Sequence, residues 1–160
     1  MKLHILTIGH KAPAWVVAGY EEYARRMPRE ARIELTEIKP AARSRQAQSA
    51  ASISRMLGLE KSRFLAALPP GCVRIALDER GKQLTTADLA RNLTAWMQGG
   101  LDVAFMIGSA DGLDRELKAN ADLLLALSAM TLPYAMVRVL LAEQLYRATS
   151  MIQNHPYHRE

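Results

Sequence analysis

The sequence predicts an α/β domain built on a largely parallel sheet, and three observations point there. Two continuous apolar runs, Cys72-Val-Arg-Ile-Ala-Leu-Asp78 and Asp102-Val-Ala-Phe-Met-Ile-Gly108, have the character of strands buried on both faces. Segments of helical periodicity alternate with such runs, the pattern of strand–helix units joined by crossovers. At 160 residues the chain is long enough to bury a real core as a single domain, residues 1–160.

Taken in order, Lys2–Gly9 alternates and closes on a glycine, which predicts the first strand. Pro13–Met27 reads as an amphipathic helix, with Trp15, Val16, Ala18, Gly19, Tyr20, Tyr23, Ala24 and Met27 on one broad face. Arg25 and Arg26 sit at its end, where the helix dipole favours cations, and Pro28 stops it. Arg32–Ile38 alternates Ile33 and Leu35 with charges, as a half-exposed strand near an edge would. Lys39-Pro-Ala-Ala-Arg-Ser-Arg-Gln46 is basic and lacks large apolar groups. Its Arg43 and Arg45 fit either a solvated loop or an arm contacting RNA phosphate. Residues 47–67 are expected to be helical, interrupted near Gly58, with Ile53, Met56, Leu57, Phe64 and Leu65 inward.

Pro69-Pro-Gly71 marks a turn into the Cys72 run, and Glu79-Arg-Gly-Lys82 a turn out of it. Thr86 is expected to cap a helix over Ala87–Gln98, with Leu89, Leu93, Trp96 and Met97 inward and Gly99-Gly100 ending it. After the Asp102 run come a tight loop, Gly108–Gly112, a short polar helix, Asp114–Asn120, and a third apolar run, Leu123–Ser128. Thr131 is the expected N-cap, and Pro133 the first-turn residue, of a long helix from Tyr134 to about Ile152. Val137, Leu140, Leu141, Leu145, Ala148 and Ile152 form one apolar face of it. Ala135, Val139, Ala142 and Tyr146 form a second, so the helix needs cover from the core and from a partner subunit. Glu143 and Arg147 are an i,i+4 pair in the favourable order. Arg138 has no acid four residues away and calls for something anionic. The tail Asn154-His-Pro-Tyr-His-Arg-Glu160 is polar and aromatic, a composition suited to gripping a nucleotide.

Composition bounds the function. The apolar share of 49% is ordinary for a globular protein, and no apolar run approaches the roughly 18 residues of a membrane span. The N-terminus lacks the long apolar region and cleavage site of a signal peptide. The single Cys72 excludes an internal disulfide or a cysteine-based zinc site and suits a reducing cytoplasm, where the protein is expected. Residues 1–80 hold 14 Lys and Arg against 8 Asp and Glu, whereas residues 81–160 hold 7 against 8. A basic half beside a neutral half suits a polyanion partner such as nucleic acid; a merely basic protein is the other reading.

Three apolar runs end in unusual turns: Leu77-Asp78, Ile107-Gly108-Ser109, and Ser128 through Leu132. In an open parallel sheet the carboxyl ends of the strands form the ligand crevice. Gly108 and Gly112 would let backbone approach a ligand closely, and together these ends suggest an adenosine-like ligand. The phosphate-loop lysine motif and the glycine fingerprint of dinucleotide sites are both missing, which disfavours ATP and NAD. His155 and His158 lack the cysteines or acidic cluster of a zinc site, so no metal is expected. A serine hydrolase would need a Gly-x-Ser-x-Gly elbow. His4 and His10 read as structural or surface positions, and Met97, Met106 and Met130 as core filler.

The spacing of Leu77-Asp78-x-x-Gly81-Lys82, Ile107-Gly108-x-x-x-Gly112, Thr131-Leu132-Pro133, Arg138-Val-x-x-x-Glu143-Gln-x-Tyr146-Arg147 and His155-Pro-Tyr-His158 resembles a known family. It is that of the SPOUT-class large-subunit rRNA methyltransferases acting on N3 of a pseudouridine (the RlmH family). The resemblance spans essentially the whole chain. It implies a parallel sheet flanked by helices with a C-terminal trefoil knot, a homodimer, S-adenosylmethionine as cofactor, and 23S rRNA within the ribosome as substrate. By carry-over, Leu77, Gly108, Leu127, Ser128, Ala129, Met130, Thr131 and Leu132 would hold the cofactor. Arg147, Tyr157 and His158 are the catalytic candidates, with Arg138, His155, Arg43 and Arg45 toward RNA. Arg138 is also a candidate for the cofactor carboxylate. Family members usually carry Gly-Gly where this chain has Gly108-Ser109, and serine is small enough to keep the pocket. The alternatives are a methyltransferase of this fold acting on tRNA, and a non-catalytic ribosome-binding assembly factor.

Overall fold

A computed structural model describes residues 1–9, 11–43 and 49–159, except the side chain of His158. Strand β1 (Lys2–Ile8) leads into helix α1 (Ala14–Ala24) and edge strand β2 (Arg32–Ile38). Then follow α2 (Ala50–Ala67), β3 (Val73–Gln83), α3 (Thr86–Gln98) and β4 (Val103–Ile107). The chain closes with α4 (Arg115–Ala119), β5 (Leu123–Ala126), α5 (Tyr134–Ile152) and a 3-10 turn, Pro156–Arg159. The strands form one sheet in the order β2-β1-β4-β3-β5, every pairing parallel. Central β4 is buried at all five positions, as its unbroken apolar run predicts.

Period-two alternation sends side chains to two cores. Leu3, Ile5, Ile75, Val103 and Phe105 pack with Tyr20, Leu89, Leu93, Leu141 and Leu145, so α1, α3 and α5 cover one face. Leu6, Ile8, Ala76, Ala104 and Met106 pack with Phe64, Leu113 and Leu117, which places α2 and α4 on the other. Among the described residues no helix is long and apolar enough to cross a membrane.

Several local expectations are corrected. β3 does not end at Asp78: it runs through the expected Glu79–Lys82 turn, with a register shift against β5 between Leu77 and Lys82. A Cβ at Gly81 would lie 2.6 Å from the Leu124 carbonyl oxygen, so only glycine lets the two backbones meet there. α3 is capped by Thr85, not Thr86, in a capping box closed by Asp88. α2 is continuous through Gly58, starts after an N-cap at Ser49, and turns Leu65 outward at 49% exposure. The first two residues expected in it, 47 and 48, lie outside the described residues, as do His10 and Ser44-Arg45-Gln46 of the basic stretch. Arg25 and Arg26 pair with Glu21 and Glu22 one turn back, and Trp15 is exposed instead of facing the core. Met130 is 75% exposed and fills no core.

Candidate functional site

Where β3, β4 and β5 end, the structure has a cleft of about 720 Å3. Leu77, Ile107, Leu125, Leu127 and Val137 give it an apolar floor, and the loop between β5 and α5 forms one wall. The Gly112 N–H donates to the Ser109 carbonyl at 2.9 Å, and Gly112 has φ +80°. A Cβ at Gly108 would stand 2.5 Å from the Gly112 backbone, so this loop closes on itself only with glycine at 108. Thr131 does not cap α5; its hydroxyl donates to the Glu79 carboxylate, tying the β3 bulge to the opposite wall. Pro133 is the residue before the helix and makes no side-chain cap.

Asp78 sits at the rim with both oxygens engaged, one by the Arg80 N–H at 2.9 Å and one by Lys118 Nζ at 2.9 Å. Burial pushes its carboxyl up, but the Lys118 hydrogen bond, the Arg80 N–H and the nearby positive charge outweigh it and hold the carboxyl below the usual range. Of the residues assigned to the cofactor, Leu77, Gly108, Leu127, Ser128, Met130, Thr131 and Leu132 line this cleft. Ala129 is exposed on the same loop and does not line it.

The catalytic candidates form a second cluster, organised by Glu143 of α5. Arg147 Nε donates to Glu143 Oε1 at 2.7 Å, and the Tyr157 hydroxyl donates to the same oxygen at 3.1 Å. The Arg147 guanidinium lies 4.8 Å from the Tyr157 ring centroid, and Tyr146 lies 4.7 Å from it on centroids. Asn154, at φ +54°, reverses the chain after α5, and the His155 N–H donates to the Ser150 carbonyl at 2.8 Å. The tail therefore folds back onto the helix. The Glu143 hydrogen bond drives the Arg147 guanidinium further up. Burial, then the Tyr23 hydrogen bond and the Glu143 charge, push the Tyr157 hydroxyl well up, so at neutral pH it is a donor and not a base.

These two clusters are not brought together. Val137 is the last residue of α5 that lines the cleft, and Arg147 stands ten residues further along, about 15 Å at the rise of an α-helix. Arg138 is neither unpaired nor offered to RNA: it is 2% exposed, with Nη1 2.8 Å from Glu37 Oε1 of β2. Arg43 pairs with Asp111 of the cleft loop at 2.8 Å, and Arg45 lies outside the described residues. His155 is exposed, and its Nδ1 accepts from the Tyr157 N–H at 3.3 Å. Sequence reasoning missed Glu143 as the hub, the Asp78–Lys118 pair and the Arg138–Glu37 pair. The first had a partial signal in its i,i+4 spacing to Arg147; the others join elements far apart in the chain.

Comparison with known proteins extends this geometry. A family model described as "Predicted SPOUT methyltransferase" matches residues 1–158. The chain is 60% identical over 159 residues to a protein of Burkholderia vietnamiensis named "Ribosomal RNA large subunit methyltransferase H", covering 99% of each. It is 61% identical over the same length to the protein of that name from Burkholderia multivorans, again with 99% of each covered. Among solved structures, a probable methylase family protein from Haemophilus influenzae superposes with a TM-score of 0.58 at 17% identity, covering 97% of this chain and 68% of that one. A putative methylase family protein from Neisseria gonorrhoeae gives 0.55 at 17% identity, covering 91% and 81%. At such identities the structures speak for the fold alone, whereas the family match and the close relatives span nearly the whole sequence. The cleft at three parallel strand ends and the folded-back tail are thus features of a chain that belongs to the SPOUT methyltransferase family.

Proposed function

We propose that this chain transfers a methyl group from S-adenosylmethionine to N3 of a pseudouridine in large-subunit rRNA, on the assembled ribosome in the cytoplasm, as a homodimer with a C-terminal trefoil knot. The observation that carries the reading is the cleft. Its volume falls within the roughly 300–1,000 Å3 of small-molecule sites. Its floor is apolar, suited to a base, and its rim mixes carboxylates with the Lys118 ammonium, suited to a zwitterion. Gly112 has open space where a Cβ would stand, which suits the close approach of a flat ring to its backbone. The residues present therefore fit this cofactor.

Bound there, S-adenosylmethionine supplies an electrophilic methyl and its own leaving group. What the protein must add is alignment of N3 with that methyl and management of the N3 proton. Arg147, fixed by Glu143, favours the anionic form of the base as the proton leaves. Tyr157 donates and stacks, and His158 is the assigned acceptor of the proton. Because Arg147 stands about 15 Å along α5 from Val137, the last residue of the helix in the cleft wall, the tail serves the cleft of the second subunit. Arg43, Arg45 and His155 take the rRNA.

The test is transfer of labelled methyl to intact ribosomes, free 23S rRNA and bulk tRNA, with ribosomes and rRNA from cells lacking this gene. Label mapped to one pseudouridine on ribosomes is expected. Label on tRNA alone, or ribosome binding with no transfer, would overturn the reading.

A further inference from the structure

The Asp78–Lys118 pair at the cleft mouth is unexplained by the family motifs, which reach Asp78 but not α4. Lys118 lies in the last turn of α4, and its side chain is 33% exposed against 14% for Asp78. Both residues line the cleft. The Asp78 carboxylate is fully engaged, by the Arg80 N–H and by Lys118, so it has little left to offer a ligand. Lys118 is the converse. An ammonium has three donors; the described contacts use one, and the side chain is a third exposed. Asp78 thus acts as an orienting anion that holds a cation at the edge of an apolar pocket.

We propose that Lys118, positioned by Asp78, receives the carboxylate of the amino-acid end of S-adenosylmethionine. This rests on the cofactor reading above. A charge-assisted hydrogen bond at a partly desolvated rim is the strong kind. The carboxylate is also the cofactor's one anionic group, so a fixed cation selects its orientation. With the apolar floor taking the base, the amino-acid end lies toward the rim, where Leu77 meets Asp78. Among the described residues the other cation lining the cleft is Arg80, whose side chain makes no described ion pair and is exposed. It lacks the preorganisation Asp78 gives Lys118.

The experiment is calorimetric titration of the full chain with S-adenosylmethionine and with 5′-methylthioadenosine, which keeps the adenosine and lacks the amino acid. K118M is expected to weaken S-adenosylmethionine about 10- to 100-fold, the range for a hydrogen bond to a charged group, and to leave methylthioadenosine unchanged. K118R should restore most of the loss, and D78N should give part of it. Equal loss for both ligands would mean that the pair only shapes the cleft, and would overturn the assignment. Unchanged cofactor affinity with weakened rRNA binding would make Lys118 a phosphate contact instead. If the wild-type chain bound neither ligand, the cofactor reading itself would fall, an outcome distinct from the loss of this assignment alone.

Discussion

Arg138 shows how much a single residue can mislead when its partner is distant in sequence. From the helix alone it lacks an acid; in the fold Glu37, 101 residues earlier, reaches it from the edge strand. The pair is asymmetric, because the Arg138 side chain is 3% exposed and that of Glu37 is 37%. Its Nε has no partner among the described residues, so the guanidinium is already incompletely satisfied. Removing Glu37 leaves a buried cation, whereas removing Arg138 leaves a carboxylate that water can reach. We therefore expect E37A to cost about 3 kcal/mol and R138M about 1 kcal/mol. Urea unfolding at equal protein concentration, since association shifts apparent stability, reads the order directly. Neighbouring Tyr20, whose hydroxyl burial pushes up to about 12 against the Arg138 charge, stays neutral throughout such an experiment.

At the scale of elements, what the sequence shows is periodicity, and what it hides is pairing. The β1, β4 and β5 runs and the helical stripes of α3 and α5 are legible because burial leaves a pattern. β3 is legible as far as Asp78 but not beyond, because Glu79-Arg-Gly-Lys82 looks like a turn until Gly81 meets the Leu124 backbone. The Thr131 hydroxyl was an equally good cap until Glu79 claimed it. The basic stretch after β2 is a further case. Lys39-Pro-Ala-Ala-Arg43 does not simply float: Arg63 Nη1 donates to the Lys39 carbonyl at 2.7 Å, and the Glu60 carboxylate accepts from the Ala41 N–H at 3.1 Å. Arg43 then reaches Asp111 on the cleft loop. A half-exposed ion pair of this kind is worth little to stability, so D111N should change unfolding by less than about 1 kcal/mol. If Arg43 is an RNA contact, R43A should lower the salt slope of rRNA binding by about one unit, while D111N should leave it or strengthen binding. Filter binding across a potassium chloride series measures both. An unchanged slope in R43A would leave the arginine as a tie to the cleft loop and nothing more.

The whole molecule poses a question of reach. On α5 the cleft reaches as far as Val137, and Arg147 of the Glu143–Arg147–Tyr157 cluster stands ten residues further on, about 15 Å by helical rise. No rotamer change spans that distance, and the tail is fastened to α5 by the Ser150–His155 hydrogen bond and by Tyr157 on Glu143. Near the cleft end of the same helix, Tyr134, Met136 and Leu140 are exposed, as are Trp15 and Val17 of α1, which packs beside it. Exposed apolar residues on two packed helices are what a second subunit would cover, and a two-fold arrangement would carry one tail to the other cleft. Mixed dimers decide between sharing and self-sufficiency. One subunit would lack residues 155–160, and the other would carry G108V, whose side chain would collide with the Gly112 backbone. If tails act across the dimer, the intact cleft of the first subunit meets the intact tail of the second, and methyl transfer to ribosomes should return to about half of the wild-type rate per dimer. If each tail serves its own cleft, both sites are broken and no transfer appears. Heterodimers purified by two different tags, beside each homodimer as an inactive control, give the answer. A silent heterodimer would require α5 to bend or the tail to detach, against the hydrogen bonds that hold it in place.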